Sequence, residues 1–307
     1  LLPFHWVRAL HHSALSTTIS LLTGFLLVLL IASGRLTPLL TQGSRRSRIW
    51  AFLGVAALIL VTGLSGVYYA VFTLILAASA VVLAFARNAP WRHILVSGLV
   101  IVTLGVVVVL GQVPSLLARS GGEPFTAIAE RMPVESTWFA GALVTALIPG
   151  PISGIPGYGS WISDIFTEAS SLENTLASNF GTLVTTACLL IFLGALMMRS
   201  RRGERLSPPD PSGITPGVVG WLIVTTLLFF IPWGLNFAFA VLVTPQIRSW
   251  NRLLPVLLIL FILGAVTVLR DSPRLKAGRV PFLTACLIVL VTAFDVVVPT
   301  AGGFAST

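Results

Sequence analysis

Acidic side chains are scarce in this 307-residue sequence, where ten Asp and Glu stand against nineteen Lys and Arg. Cysteine is scarcer still: Cys188 and Cys286 are the only two, and both lie inside apolar runs. That argues against a structural disulfide and more strongly against a cysteine-held metal. The chain also lacks a Gly-rich phosphate loop, a nucleophile elbow and a histidine pair at metalloprotease spacing. What it has in abundance is apolar surface. With 56% hydrophobic and 9% charged residues, and a mean hydropathy of +0.97, it reads as a polytopic membrane protein.

The basic residues are not spread evenly. Fourteen of the nineteen fall in four clusters: Arg35/Arg45/Arg46/Arg48, Arg87/Arg92, Arg199/Arg201/Arg202/Arg205 and Arg270/Arg274/Lys276/Arg279. Arg8, Arg119, Arg131, Arg248 and Arg252 stand apart from them. Short loops rich in Lys and Arg stay on the cytoplasmic side of a bilayer, so the clusters orient the chain. The net charge of +9 is therefore read as facing anionic lipid, and not nucleic acid, because no base-stacking aromatic pattern accompanies it.

A spanning helix needs about 20 apolar residues to cross roughly 30 Å of hydrocarbon. This measure predicts an all-α fold, a single transmembrane domain over 1–307. About eight spans are expected, near 14–33, 49–64, 67–86, 94–111, 181–198, 215–231, 254–270 and 281–298, with Gly63-Leu64-Ser65-Gly66 as a tight outer turn. Loops 34–48, 87–93, 199–214 and 271–280 then lie in the cytoplasm, and 1–13, 112–180 and 232–253 lie outside. Seven of the ten acidic residues share that outer side: Glu123, Glu130, Glu135, Asp164, Glu168, Glu173 and Asp295. Within the long outer connection, an apolar stretch from Trp138 to Ile155 is interrupted by Pro149, Pro151 and Pro156. Proline removes a backbone donor and clashes with the preceding turn. Residues 137–148 are thus expected to form one interfacial or re-entrant helix followed by an irregular descent, not a ninth span. Such backbone survives at membrane depth only where protein or a wet cavity covers it.

Candidate binding residues sit on the outer face. His5, Arg8 and His12 fall within one narrow arc of a helix, where they serve either as an interface anchor or as a phosphate clamp. Further on, Thr244 has the chemistry of an N-cap and Pro245 suits a first helical position. Arg248, Asn251 and Arg252 would then share one face of the first turns, two guanidinium groups and an amide at the positive end of a helix. The alternative is that these arginines snorkel to lipid phosphates. Glu135 is a candidate general base, although a solvated loop carboxylate is the commoner case, and Trp138 offers a face for sugar stacking. Tyr68 and Tyr69 are either belt aromatics or sugar contacts. Asp295 is a suspect by location, since a carboxylate near a span needs a cavity or a partner. No cofactor is evident, and a divalent metal stays open although no ligand cluster for one stands out.

Several short segments occur in a telling order: Pro3-Phe4-His5-Trp6-Val7-Arg8, Gly66-Val67-Tyr68-Tyr69-Ala70-Val71-Phe72, Glu135-Ser136-Thr137-Trp138-Phe139 with Leu147-Ile148-Pro149-Gly150-Pro151, and Thr244-Pro245-Gln246-Ile247-Arg248 with Asn251-Arg252. Together they resemble a family of bacterial inner-membrane proteins described as sugar translocases or GT-C-type glycosyltransferases. The resemblance implies transfer of a sugar from a polyprenyl-phosphate carrier to an acceptor at the outer membrane face. It implies membrane lipids and a lipid-linked sugar as partners. It also implies a catalytic acidic residue in the first outer loop, which would precede Leu1. The opening Leu1-Leu2-Pro3 and the small-residue tail read as a piece of a longer protein. The chain departs from the family pattern at Ala142, where a Lys is expected, and at Ser153-Gly154, where His-Arg is expected. Losing those cations weakens the grip of this connection on a phosphate. Two other classes stay open: a translocator that moves the lipid-linked sugar without bond chemistry, and a catalytically silent scaffold. Few charges lie inside the spans, which argues against proton-coupled transport.

The basic clusters generate a topology prediction. Single cysteines placed at Ser170 and Ser207 should respond oppositely to an impermeant thiol reagent in intact cells, with position 170 labelled and position 207 protected. The reverse pattern would invert the assignment.

Overall fold

A computed structural model describes residues 18–120, 131–148, 157–167, 181–201 and 213–270. Among the described residues the chain is helical, without a strand. In chain order the helices are α1 (Thr18–Ala32), α2 (Leu36–Thr41), α3 (Arg45–Ser65), α4 (Val67–Ala86), α5 (Trp91–Ser120), α6 (Glu135–Trp138) and α7 (Leu143–Leu147). They continue with α8 (Tyr158–Thr167), α9 (Leu183–Arg201), α10 (Pro216–Phe230), α11 (Leu235–Leu242) and α12 (Leu254–Arg270), the last entered through a 3-10 turn at Trp250–Leu253.

Four stretches are long and apolar enough to cross a membrane: Arg45–Ser65, Val67–Ala86, Trp91–Pro114 and Trp250–Arg270. A fifth arises if α10 and α11, bent by 63° at their junction, count as one broken span. The sequence count of about eight is thus only partly met. Ile19–Ala32 and Leu183–Met198 are apolar but shorter; a helix of α1's length rises about 22 Å, less than the roughly 30 Å of hydrocarbon. The expected span at 281–298 lies outside the described residues, as do Asp295, His5, Arg8, His12 and the prolines at 149, 151 and 156.

Two local expectations change. Helix α3 starts at Arg45, not near 49, because the Ser44 hydroxyl accepts a hydrogen bond from the Ser47 amide at 3.2 Å and caps the helix there. Arg45, Arg46 and Arg48 therefore belong to a helix and not to a loop. The tight turn expected over Gly63–Gly66 reduces to Gly66, since α3 continues to Ser65 and α4 begins at Val67. Gly63 has another use. A Cβ there would stand 2.6 Å from Val107 Cγ1, so its smallness lets α3 and α5 approach closely.

The chain divides into two compact units. One contains the described residues of Thr17–Arg131 and Pro209–Thr225, the other those of Met132–Pro208 and Thr226–Thr307. The boundary passes within α10. In the first of these, the α1–α5 unit, α1 packs against α3 and α4, and α5 packs against the same two helices. Leu27, Val28, Ile31, Phe72 and Leu104 fill its interior. Polar ties cross it: Thr62 Oγ1 donates to Thr23 Oγ1 at 2.9 Å, and Trp221 Nε1 donates to the Ser79 carbonyl at 2.9 Å. Outward-facing positions are apolar as well, with Phe52 65% and Leu99 67% exposed. Side chains of that kind on a long helix need a lipid environment.

In the other unit α12 is the inner helix. Of its spanning window 67% is buried, against 22% for Arg45–Ser65 and for Trp91–Pro114. It packs along α9, where Val184, Cys188, Ile262 and Ala265 meet and Gly264 lies against the Phe192 ring.

Helix contacts in an apolar solvent rely on close packing at small residues. A Cβ at Gly24 would collide with Thr73 Oγ1 and stand 3.1 Å from Thr62 Cγ2, whereas one at Gly54 meets nothing within 4 Å. Gly24→Leu should therefore lower the unfolding temperature in detergent by several degrees, following an overpacking cost of about 1–3 kcal/mol. Gly54→Leu should leave it nearly unchanged. Equal effects at both sites would show that this contact does not limit stability.

Candidate functional site

The second unit, which holds α6 to α9, the end of α10, α11 and α12 and is called the α9–α12 unit below, gathers its polar chemistry around α6, a single turn with Glu135 at its start. Three segments distant in sequence tie that turn in place. Arg248 Nη1 donates to Glu135 Oε2 at 3.0 Å, across 113 positions. The Asn251 amide donates to the Phe139 carbonyl at 3.1 Å, and the Gly141 amide donates to the Phe230 carbonyl at 2.7 Å. Asn236 Nδ2 donates to the carbonyls of Ser136 and Ile231, at 3.3 and 3.0 Å. Apart from the Arg248–Glu135 pair, these bonds go to backbone groups that a broken helix would otherwise leave unmet.

The break itself differs from the expectation of one helix over 137–148. Two short helices, α6 and α7, are separated at Phe139–Ala142, upstream of the prolines. Gly141 explains the position. Its backbone lies against the Phe230 ring so closely that any Cβ would overlap it, and its amide is bonded to α10 instead of to the preceding turn. Ala142 follows directly as the N-cap of α7, a site without a cationic side chain. The downstream end of α7 is fixed by Thr186 Oγ1 donating to the Leu147 carbonyl at 2.7 Å and the Gly181 amide donating to the Thr145 carbonyl at 2.8 Å.

Arg248 is the accessible cation of the group. Its side chain is 31% exposed, and its guanidinium carbon stands 4.5 Å from the centroid of the Phe139 ring. One of its five N–H donors goes to Glu135. Among the described residues, the others make no hydrogen bond. Glu135 is more enclosed, with a side chain 11% exposed. Both of its oxygens are engaged, since Oε1 accepts from the Met132 amide at 3.1 Å. A carboxylate held in this way orients Arg248; to act as a general base it would first have to release it.

The helix expected from Thr244 onward does not form. Thr244 Oγ1 accepts from the Gln246 amide at 3.2 Å in a local turn, residues 247–249 are irregular, and α12 begins only at Leu254. Arg248, Asn251 and Arg252 consequently do not share one helical face. Asn251 and Arg252 are buried while Arg248 reaches outward. Long-range bonds to Glu135 and Phe139 outweigh the local capping signal here. Pro255 sits in the first turn of α12, where a missing N–H costs nothing, and so continues the helix.

The remaining candidates are dispersed. Trp138 ends α6 with 53% of its surface exposed, beside the ion pair in sequence. Tyr69 is buried edge-on against Phe72 at 6.1 Å within the α1–α5 unit, a packing contact and not an open sugar platform. Tyr68 is half-buried beside the same ring. Sequence reasoning gave no role to Phe139, Asn236 or Trp250. The fully buried Trp250 ring meets Phe229 and Phe239 at 5.3 and 5.4 Å, an aromatic cluster at the 3-10 turn that leads into α12. Among the described residues no three His, Cys, Asp or Glu side chains come together in a way that could hold a metal ion.

Comparisons with protein-family models, with curated proteins and with solved structures found no match. The fold and the site define a helical, multi-pass membrane protein with a covered break beside a cation–carboxylate pair.

A double-mutant cycle tests whether that pair holds the segments together. Arg248→Ala and Glu135→Ala should each destabilise, and the double variant should lose less than their sum, with a coupling of about 0.5–3 kcal/mol. Strict additivity would mean that the two side chains act independently.

Proposed function

We propose that the α9–α12 unit binds the phosphate of a polyprenyl-linked sugar at Arg248, in a membrane glycosyltransferase-like protein. One observation carries the reading. The segments Glu135–Phe139 and Thr244–Arg252, which bear the family resemblance, meet in space through the Arg248–Glu135 pair and the Asn251–Phe139 bond. Their meeting leaves a part-exposed guanidinium with unused donors, set over an aromatic ring and pointing out of a buried polar base. Paired N–H donors in a fixed plane suit phosphate oxygens better than an ammonium does.

The reaction that fits is displacement at the anomeric carbon. A bond forms from the acceptor hydroxyl oxygen to that carbon as the carbon–oxygen bond to phosphate breaks. The phosphate leaves with the electron pair, and the hydroxyl proton passes to a base. Arg248 would stabilise the charge growing on the departing phosphate. Trp138, exposed at the end of α6, would offer its ring to the sugar. The base is not assigned among these residues, because Glu135 is already engaged on both oxygens.

A second reading, movement of the lipid-linked sugar without bond chemistry, draws on the bent pair of α10 and α11. Interrupted apolar helices with protein-covered irregular backbone recur where membrane proteins pass substrates.

Charge-assisted contacts to phosphate contribute about 1.5–3 kcal/mol each, so Arg248→Ala should weaken polyprenyl phosphate binding at least about tenfold. Arg248→Lys should recover only part of that loss. Unchanged affinity in a well-inserted Arg248→Ala protein would reduce this arginine to a structural ion pair. In proteoliposomes, sugar transfer to an added acceptor separates the first reading from flipping without transfer.

A further inference from the structure

Among its described residues, the α1–α5 unit carries charge of one sign. Its described residues include no Asp or Glu, while Arg35, Arg45, Arg46, Arg48, Arg87 and Arg92 are all exposed. They gather at one end. Thr37 in α2 is hydrogen-bonded to His93 Nδ1 in the first turn of α5 at 3.2 Å, and α2 leads through 42–44 directly into α3. The register further along agrees. Gly63 lies beside Val107 and Gly111 beside Leu64, so α3 and α5 run in parallel with their starts nearly level.

Four of these arginines stand where helix electrostatics disfavours them. Arg45, Arg46 and Arg48 occupy the first turn of α3, Arg92 the first turn of α5, and neither first turn contains an acidic residue. A helix start carries about half a positive charge of its own, so side chains and backbone add with the same sign. The described part of the unit supplies no counter-charge, and an anion from outside would relieve the repulsion.

The surroundings specify what kind of anion. Trp50 and Trp91, one in each of these helices, are 64% and 63% exposed beside the arginines. Beyond them the same helices present Phe52, Leu95 and Leu99, all outward. A ligand with an anionic head and apolar chains meets both features, whereas a free anion would use only the first.

We propose that the adjacent starts of α3 and α5 bind the phosphodiester headgroup of an anionic phospholipid, whose acyl chains lie along the exposed faces of these helices. This surface is independent of the Arg248 cluster. Its occupant would act as a structural lipid, neutralising an end that the α1–α5 helices leave strongly positive.

The whole protein, purified in mild detergent, is titrated with phosphatidylglycerol and with phosphatidylcholine of the same chains, and bound lipid is counted by native mass spectrometry. The expected result is a clear preference for phosphatidylglycerol. The preference should fall at least about fivefold when Arg45→Gln, Arg46→Gln, Arg48→Gln and Arg92→Gln are combined. It should largely survive the four Arg→Lys changes, which keep the charge and so guard against simple misfolding. Equal binding of both lipids by the wild type overturns the proposal, as does a preference that persists in the Gln variant. Loss in the Lys variant also overturns the charge account. Competition by glycerol phosphate as effective as that by the intact lipid would reassign the surface to small anions.

Discussion

Peptide groups flanked by apolar side chains in a lipid environment have no water to bond, so each must be satisfied by the protein itself. This constraint explains why the described chain is helical and why its long helices tolerate outward phenylalanine and leucine. It also explains where the ordered polar chemistry lies. A regular helix meets its own needs, whereas the interruption at Phe139–Ala142 leaves donors and acceptors that only other segments can meet. The Gly141 amide finds Phe230, the Phe139 carbonyl finds Asn251, and Asn236 spans Ser136 and Ile231. Covering one break thus draws α10, α11 and the approach to α12 onto α6.

The ion pair belongs to the same economy of partners. A carboxylate as enclosed as Glu135 is costly unless paired and hydrogen-bonded, and it has both a guanidinium and a backbone amide. Arg248 is less enclosed, and that asymmetry is what makes it interesting chemically. Its position is fixed from the buried side by Glu135 and Phe139, so little side-chain freedom remains to be lost when an anion arrives. Arg252 is enclosed in the 3-10 turn and cannot present its charge in the same way.

Much of this architecture could be read from periodicity and charge, and the reasons for the failures are specific. Helices α3, α4, α5 and α12 followed from apolar runs of spanning length, which owe little to tertiary context. The start of α3 was missed by four residues because hydropathy ignores Arg45, Arg46 and Arg48, whereas Ser44 sets the boundary by capping. The pair Glu135 and Arg248 could be nominated as charged residues on an apolar background, yet their union across 113 positions leaves no trace in local spacing. Thr244-Pro245 carried a genuine helix-start signal, and it lost to long-range bonds that sequence cannot weigh. Gly141 falls inside the single helix expected over 137–148. Its role follows only from the Phe230 ring beside it.

Arginine therefore has two physical meanings in this chain, and burial together with counter-charge separates them. Arg248 sits against a carboxylate and an aromatic face, and can select a ligand by geometry. The arginines at the starts of α3 and α5 are exposed, with no acidic neighbour in their turns and a helix dipole of the same sign, so they act through charge alone. Exchanging Arg for Lys distinguishes the two. A site that uses the planar fork loses function with its charge intact, while a surface that uses only charge does not. Composition counts these side chains together, and hydropathy treats them all as loop markers. Their difference arises from what the fold places beside each one.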